Sequence, residues 1–151
     1  MNSLVDTWCI QALYRAAQAG VRIDLQVRGI CCLRLGIPGL SETITVTSVV
    51  GRFLEHARIY YFRHGGQNEV LIGSADLMPR NLDHRVEVIF PVENPRWREV
   101  IVKDILGVGL RDNVQARRLL ADGTYERMQP VDGATAVNSQ DWFLNHWKPR
   151  A

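Results

Sequence analysis

Residues 21–28, VRIDLQVR, set Val21, Ile23, Leu25 and Val27 against charged or polar neighbours at every second position. That period puts all four side chains on one face of a strand, and the face needs an apolar partner. The preceding segment offers one, because Leu4, Trp8, Ile10, Leu13, Tyr14 and Ala17 recur at helical spacing and Gly20 follows them. Asn2 or Ser3 can cap that helix, with Asp6 in its first turn. A helix feeding a strand through a glycine predicts an α/β fold, a mixed β-sheet flanked by helices.

The rest of the chain extends this pattern. The loop GICCLRLGIPGLSE, 29–42, leaves the carboxyl end of the first strand, and the β-branched run TITVTSVV, 43–50, reads as a second strand. RIYYF, 58–62, is a third, and after the Gly65-Gly66 turn EVLIGS, 69–74, is a fourth and RVEVIF, 85–90, a fifth. Asn94 caps a helix with Pro95 at its first position, and Gly107 and Gly109 weaken its second half. QARRLLADGTYERMQP contains the hairpin signal Asp122-Gly123, and NSQDWFLNHWKPR reads as a short amphipathic helix. The expected division is an α/β body over 1–112 with an appended hairpin and tail over 113–151.

A length of 151 residues fits one core of ordinary size. No apolar run reaches the roughly 18 residues of a membrane span, and the first residues lack a signal-peptide layout, so the expected location is cytoplasmic. The three cysteines, Cys9, Cys31 and Cys32, are odd in number and include an adjacent pair, which predicts reduced, buried or half-buried thiols and no zinc site. A net charge of +2 argues against nucleic-acid binding by bulk electrostatics. Of 18 basic residues only Lys103 and Lys148 are lysine. Arginine's planar fork suits paired phosphate oxygens, although GC-rich codon usage gives the same composition. Position has to separate the two.

Three positions stand out. Arg28 ends the first strand and precedes Gly29, at the strand end where open α/β sheets bind ligands. Arg85 opens the fifth strand after a polar loop holding Ser74, Asp76, Arg80, Asn81, Asp83 and His84. His56 lies just before the third strand, between Glu55 and Arg58, and reaches the rim of Arg28 if its strand runs antiparallel to its neighbours. Cations around a phosphate, with an imidazole that exchanges a proton near neutral pH, suit phosphoryl transfer. On the residues alone, a solvated or hydrogen-bonded histidine is the commoner outcome at such a place. His64, His84 and His146 lack even this combination.

The segments ALYRAAQAGVRIDLQVRGICCLR, FLEHARIYYF and the SAD, MPRNLD and RVEV pieces of 74–89 resemble, in order, the carboxyl-terminal part of bacterial polyphosphate kinase. The likeness covers roughly residues 2 to 118 and implies the second of two phospholipase D-like domains. The family moves the terminal phosphoryl group of ATP onto a histidine and then onto polyphosphate. That phosphorylated histidine belongs to the first such domain, which no segment here matches. By resemblance His56 is the partner histidine, Arg28 a nucleotide-phosphate arginine and Arg85 an arginine facing the phosphate site, with His56 also in contact with ATP. Arg58, Ser74, Arg80 and Asn81 form a secondary set. The wider phospholipase D pattern is altered, with Arg58 for its lysine, Asp76 for its asparagine and Arg63 where its aspartate falls. Leu35, Leu77 and the pair Thr7-Trp8 also depart from the kinase pattern.

The resemblance implies ATP or ADP and polyphosphate as partners, together with the remaining domains of the same enzyme and a homo-oligomer at full length. It implies magnesium held mainly by those other domains, since no acidic cluster here has ligand spacing, and a cytoplasmic location peripheral to the inner membrane. The expected function is that of a catalytic-domain fragment which makes no polyphosphate by itself. The alternatives are a homodimeric phospholipase D-like phosphodiesterase and a non-catalytic polyphosphate- or nucleotide-binding module.

Overall fold

The computed structural model describes residues 1–147. Residues 148–151, which include Lys148 and the end of the expected tail helix, lie outside the described residues. The elements run α1 (Thr7–Gln18), β1 (Ile23–Gln26), β2 (Ile44–Val49), β3 (Arg58–His64), β4 (Gln67–Gly73), α2 (Pro79–Leu82) and β5 (Ile89–Pro91). A continuous helical stretch follows, α3 (Pro95–Val100), a π-helical segment (Ile101–Leu106) and α4 (Gly107–Leu110), then β6 (Ala116–Leu119), β7 (Tyr125–Arg127) and α5 (Ser139–His146).

The architecture is mixed α/β, but it contains two sheets where the sequence suggested one. The first is mixed, in the order β1-β2-β6-β7, with β1 parallel to β2 and the other pairs antiparallel. The second is the antiparallel meander β3-β4-β5. β2 lies inside the first sheet with both edges paired, and from Val46 on both its faces are covered: Val46 and Val49 are buried, and so are Thr47 and Ser48. That explains a β-branched run without clean alternation. The hairpin assigned to an appendage continues this sheet, since β6 pairs with β2 at Thr47–Arg118, Ser48–Arg117 and Val49–Ala116. Its docking is a long-range pairing that local turn signals do not encode.

The core lies between α1 and the first sheet, where Leu4, Ile10, Ala17, Val27, Ile44, Val46 and Leu119 are buried together. Trp8 is not part of it and is 79% exposed. Cys9 and Cys31 are half-buried free thiols, as read, but Cys32 is exposed, because neighbouring side chains on an extended backbone face opposite ways. In the β3–β4 turn, Gly65 and Gly66 have φ of 52° and 80°, a backbone that side-chain-bearing residues rarely adopt.

The amino-terminal segment differs most from expectation. α1 starts at Thr7, and its cap is Asp6, whose Oδ1 accepts the Cys9 N–H at 2.8 Å. Residues before it are extended. Leu4 forms parallel bridges with both Cys31 and Leu77. The Leu4 N–H donates to the Ile30 carbonyl at 2.9 Å, and the Val5 N–H donates to the Leu77 carbonyl at 2.8 Å. This segment therefore stitches the loop after β1 to the loop after β4.

Candidate functional site

Arg28 follows β1 and is half-buried at the stitched seam. Its Nε and Nη2 donate to Asn2 Oδ1 at 2.9 and 2.5 Å. The Asn2 N–H donates in turn to Asp76 Oδ1 at 2.7 Å. Asp76 holds Arg58 in a two-pronged pair, Nε to Oδ1 and Nη2 to Oδ2, both at 3.1 Å. The third arm of Arg58, Nη1, donates to the His56 carbonyl at 3.0 Å. A hydrogen-bonded chain thus runs from Arg28 through Asn2, Asp76 and Arg58 to the backbone of His56. The expected route through a shared sheet does not exist, because β3 belongs to the second sheet.

The electrostatics of the two arginines differ. Arg58 faces a carboxylate that is almost fully buried, with side-chain exposures of 13% and 3% for the pair. Burial pushes the Asp76 carboxyl up, but the Arg58 hydrogen bonds and the Asn2 and Ser3 N–H groups outweigh it and hold the group below the usual carboxylate range. The positive charge of Arg58 is therefore neutralised in place. Arg28 rests on the neutral amide of Asn2, which uses two of a guanidinium's five N–H donors and none of its charge.

A second cluster surrounds Glu87. Its two oxygens accept from Ser74 Oγ and from Asn81 Nδ2. These bonds hold its carboxyl below the ordinary value, and the nearby charges of Arg85 and Arg58 act in the same direction. Ser74 also accepts the Val88 N–H at 3.1 Å, and its own N–H donates to the Val88 carbonyl at 2.9 Å. Asn81 is buried, and its Oδ1 has no hydrogen-bond partner among the described residues.

Tying Glu87 down bends the segment expected as a strand from Arg85. β5 begins only at Ile89, Val86 is fully exposed, and Arg85 sits on a loop with an exposed side chain. Among the described residues the Arg85 and His56 side chains make no hydrogen bond, and both are exposed. Arg80 is exposed on α2. Arg28, Arg58 and the His56 backbone are thus physically linked, Ser74 and Asn81 are joined through Glu87, and Arg85 lies within charge range of that carboxylate. Sequence reasoning missed Asn2, read as a helix cap, and Glu87, read as one residue of an alternating strand. The GSAD stretch did flag Asp76.

Among the described residues no group of three His, Cys, Asp or Glu side chains gathers to hold a metal ion. No described helix is long and apolar enough to cross a membrane. The more open of two surface hollows, about 530 Å³, lies between Gln67, Arg98 and Lys103, and the other, about 260 Å³, is lined by Gly29, Cys31, Leu35 and Tyr125. His56 and Arg85 line neither.

The family model described as polyphosphate kinase C-terminal domain 2 matches residues 1–140. A polyphosphate kinase of Prosthecochloris aestuarii is 59% identical over 144 residues, 95% of this chain and 20% of that relative. One of Rhodopirellula baltica is 58% identical over 141 residues, 93% of this chain and 16% of the relative. The crystal structure of polyphosphate kinase from Porphyromonas gingivalis matches with a TM-score of 0.91 at 44% identity, covering 97% of this chain and 22% of that one. The chain therefore spans about a fifth of the length of the curated relatives it matches.

Proposed function

This chain belongs to the polyphosphate kinase family as its C-terminal domain 2, and on that premise we propose that it supplies the phosphate-holding and proton-exchanging half of a phosphoryl-transfer site. The full reaction moves the terminal phosphoryl group of ATP to a histidine outside this domain and then to polyphosphate. Arg28 and Arg85 hold phosphate oxygens, and His56 gives or takes the proton as charge develops on the transferring group. Arg58 acts as a positioning residue: its charge is spent on Asp76, and its free arm fixes the His56 backbone. Ser74, Asn81 and Glu87 hold the loop that carries Arg85, and Arg80 flanks it.

The observation that carries this reading is the hydrogen-bonded chain from Arg28 to the His56 carbonyl across the seam between the sheets. It joins the candidate cation to the backbone that carries the candidate acid–base group, while Arg28 itself rests on a neutral amide. The same chain disfavours a phospholipase D-like phosphodiesterase, because Arg58, the residue at that pattern's lysine position, is neutralised by Asp76. Magnesium, where the reaction needs it, is held outside this chain.

Inorganic triphosphate titrated into the 151-residue chain tests the reading. Arg28→Ala and Arg85→Ala are each expected to weaken binding about tenfold or more, the loss of one charge-assisted contact. Arg22→Ala, at an exposed arginine paired with Asp24, should leave it unchanged. Equal affinities in all four proteins, with unaltered thermal melts, contradict the proposal.

A further inference from the structure

The loop between β2 and β3 carries His56, yet it has no regular structure from Val50 to Ala57. Among the described residues it also makes no backbone-to-backbone hydrogen bond over 51–56. Two side chains hold it instead. One is Arg58, on the His56 carbonyl. The other comes from the distant carboxyl-terminal helix: Gln140, in the first turn of α5 and only 5% exposed.

Three of the four bonding positions of the Gln140 amide are used on this loop. Its Oε1 accepts the Phe53 N–H at 3.0 Å. Its Nε2 donates to the Phe53 carbonyl at 2.8 Å and to Glu55 Oε1 at 2.9 Å. The side chain thus pairs with the N–H and carbonyl of one residue, Phe53, as a neighbouring strand would, and adds a bond to the side chain of the residue next to His56. Gly51 makes room for it, because a Cβ there would lie 2.6 Å from Gln140 Oε1.

The base of this clamp is rigid. The N–H and Oγ of Ser139, the residue before Gln140, donate to Asp112 Oδ2 at 2.8 and 2.7 Å. The other oxygen of Asp112 accepts the N–H groups of Val114, Gln115 and Ala116. Asp112 is fully buried where the long helical stretch turns into β6. A connected path therefore runs from the first sheet through Asp112, Ser139 and Gln140 to Phe53 and Glu55, and ends beside His56.

We infer that α5 is a positioning device for phosphoryl transfer, in which Gln140 clamps the Phe53 backbone and the Glu55 side chain and so sets where the His56 imidazole stands. This rests on the proposed role of His56. Gln140 is a positioning residue, since it touches the loop and not the reacting atoms. The segment set apart as a tail is by this inference part of the catalytic framework.

The sharpest probe is Gln140→Glu, which keeps shape and removes both amide donors, leaving a carboxylate against the Phe53 carbonyl and the Glu55 carboxylate. In the 151-residue chain, the Phe53 amide keeps its acceptor oxygen but sits on a loop that has lost the two Nε2 bonds, worth about 1 kcal/mol each, and faces carboxylate repulsion, so it should exchange its hydrogen about tenfold or more faster. The Ala116 amide, held by Asp112, should keep its rate and report an intact fold. In a full-length polyphosphate kinase containing this sequence, kcat should fall about a hundredfold, the scale of a 1 Å misplacement. KM for ATP should change less than about threefold, because the substrate contacts stay in place. Glu55→Gln in the same chain as Gln140→Glu restores a donor–acceptor pair between the two positions and should recover part of the lost kcat.

An unchanged Phe53 exchange rate overturns the clamp. Faster exchange with unaltered kcat, in an enzyme that His56→Ala inactivates, overturns the positioning role alone. Unaltered turnover in His56→Ala itself overturns the reading on which the inference rests.

Discussion

Alanine at His56, in a full-length polyphosphate kinase containing this sequence, is expected to slow phosphoryl transfer by about a thousandfold, within the range for removing a positioned proton-transfer group. The same substitution should leave the unfolding midpoint of the 151-residue chain close to that of the parent. The imidazole is exposed and makes no hydrogen bond among the described residues. Among the described residues its hydrogen bond runs through its carbonyl, which Arg58 holds and which alanine retains. A group placed in solvent without partners contributes little to folding, so large loss of turnover with little loss of stability is the signature of a reacting group. Steady-state kinetics and urea unfolding of the same variant provide both readings. A kcat within twofold of the parent would remove His56 from the mechanism.

The largest expected effect on stability is at Asp112. Its buried carboxylate accepts five hydrogen bonds: three from the turn that opens β6 and two from Ser139. Alanine leaves those donors facing a small void and removes the Ser139 bonds that tie the start of α5 to the turn before β6. A loss of about 4 kcal/mol is expected, the range for stranding several buried polar partners. Burial pushes the Asp112 carboxyl up, but the bonds from Ser139, Gln115 and Val114 outweigh it, and the folded group stays below its ordinary value. A carboxyl depressed in the folded state stabilises the fold above its unfolded pKa of about 3.9, and that contribution disappears as pH falls through the lower, folded value. Asp76 acts in the same sense. Urea unfolding should therefore show a fall in stability below about pH 4, shallower in Asp112→Ala. A variant as stable as the parent at neutral pH would contradict the assignment.

Local periodicity made much of this fold legible. Val21 to Val27 mark β1, the β-branched run marks β2, and Gly65-Gly66 marks the β3–β4 turn, because each element's pattern is written within its own residues. Asn94 caps its helix as read, with Oδ1 accepting from Arg96 and Trp97. What stayed hidden depends on distant partners. Residues 2 to 6 look like a helix start, yet Leu4 is claimed by Cys31 and Leu77, so Asp6 becomes the cap. The alternation at 85–90 looks like a strand, yet Ser74 and Asn81 hold Glu87, and regular pairing with β4 begins only at Ile89.

The candidate site divides along the same line. Arg28, His56 and Arg85 were visible as residue types at strand ends, and the family resemblance singled them out. Asn2, which bridges two of the site's elements, and Gln140, which reaches the histidine loop from 87 positions away in the chain, carry no signal in their own neighbourhoods. A lone asparagine or glutamine reads as ordinary surface. Only the fold reveals that the Asn2 amide is committed to Arg28 and the Gln140 amide to Phe53 and Glu55.

The central claim is that Arg28, Arg85 and His56 address one phosphate. Nitrogen-15-labelled chain titrated with inorganic triphosphate, observed through the side-chain signals of the two arginines and the histidine ring, tests it most directly. The account predicts that all three respond together and fit a single dissociation constant, which Arg28→Ala shifts for the other two signals as well. Separate midpoints, or an Arg28 response with Arg85 and His56 silent, would contradict it.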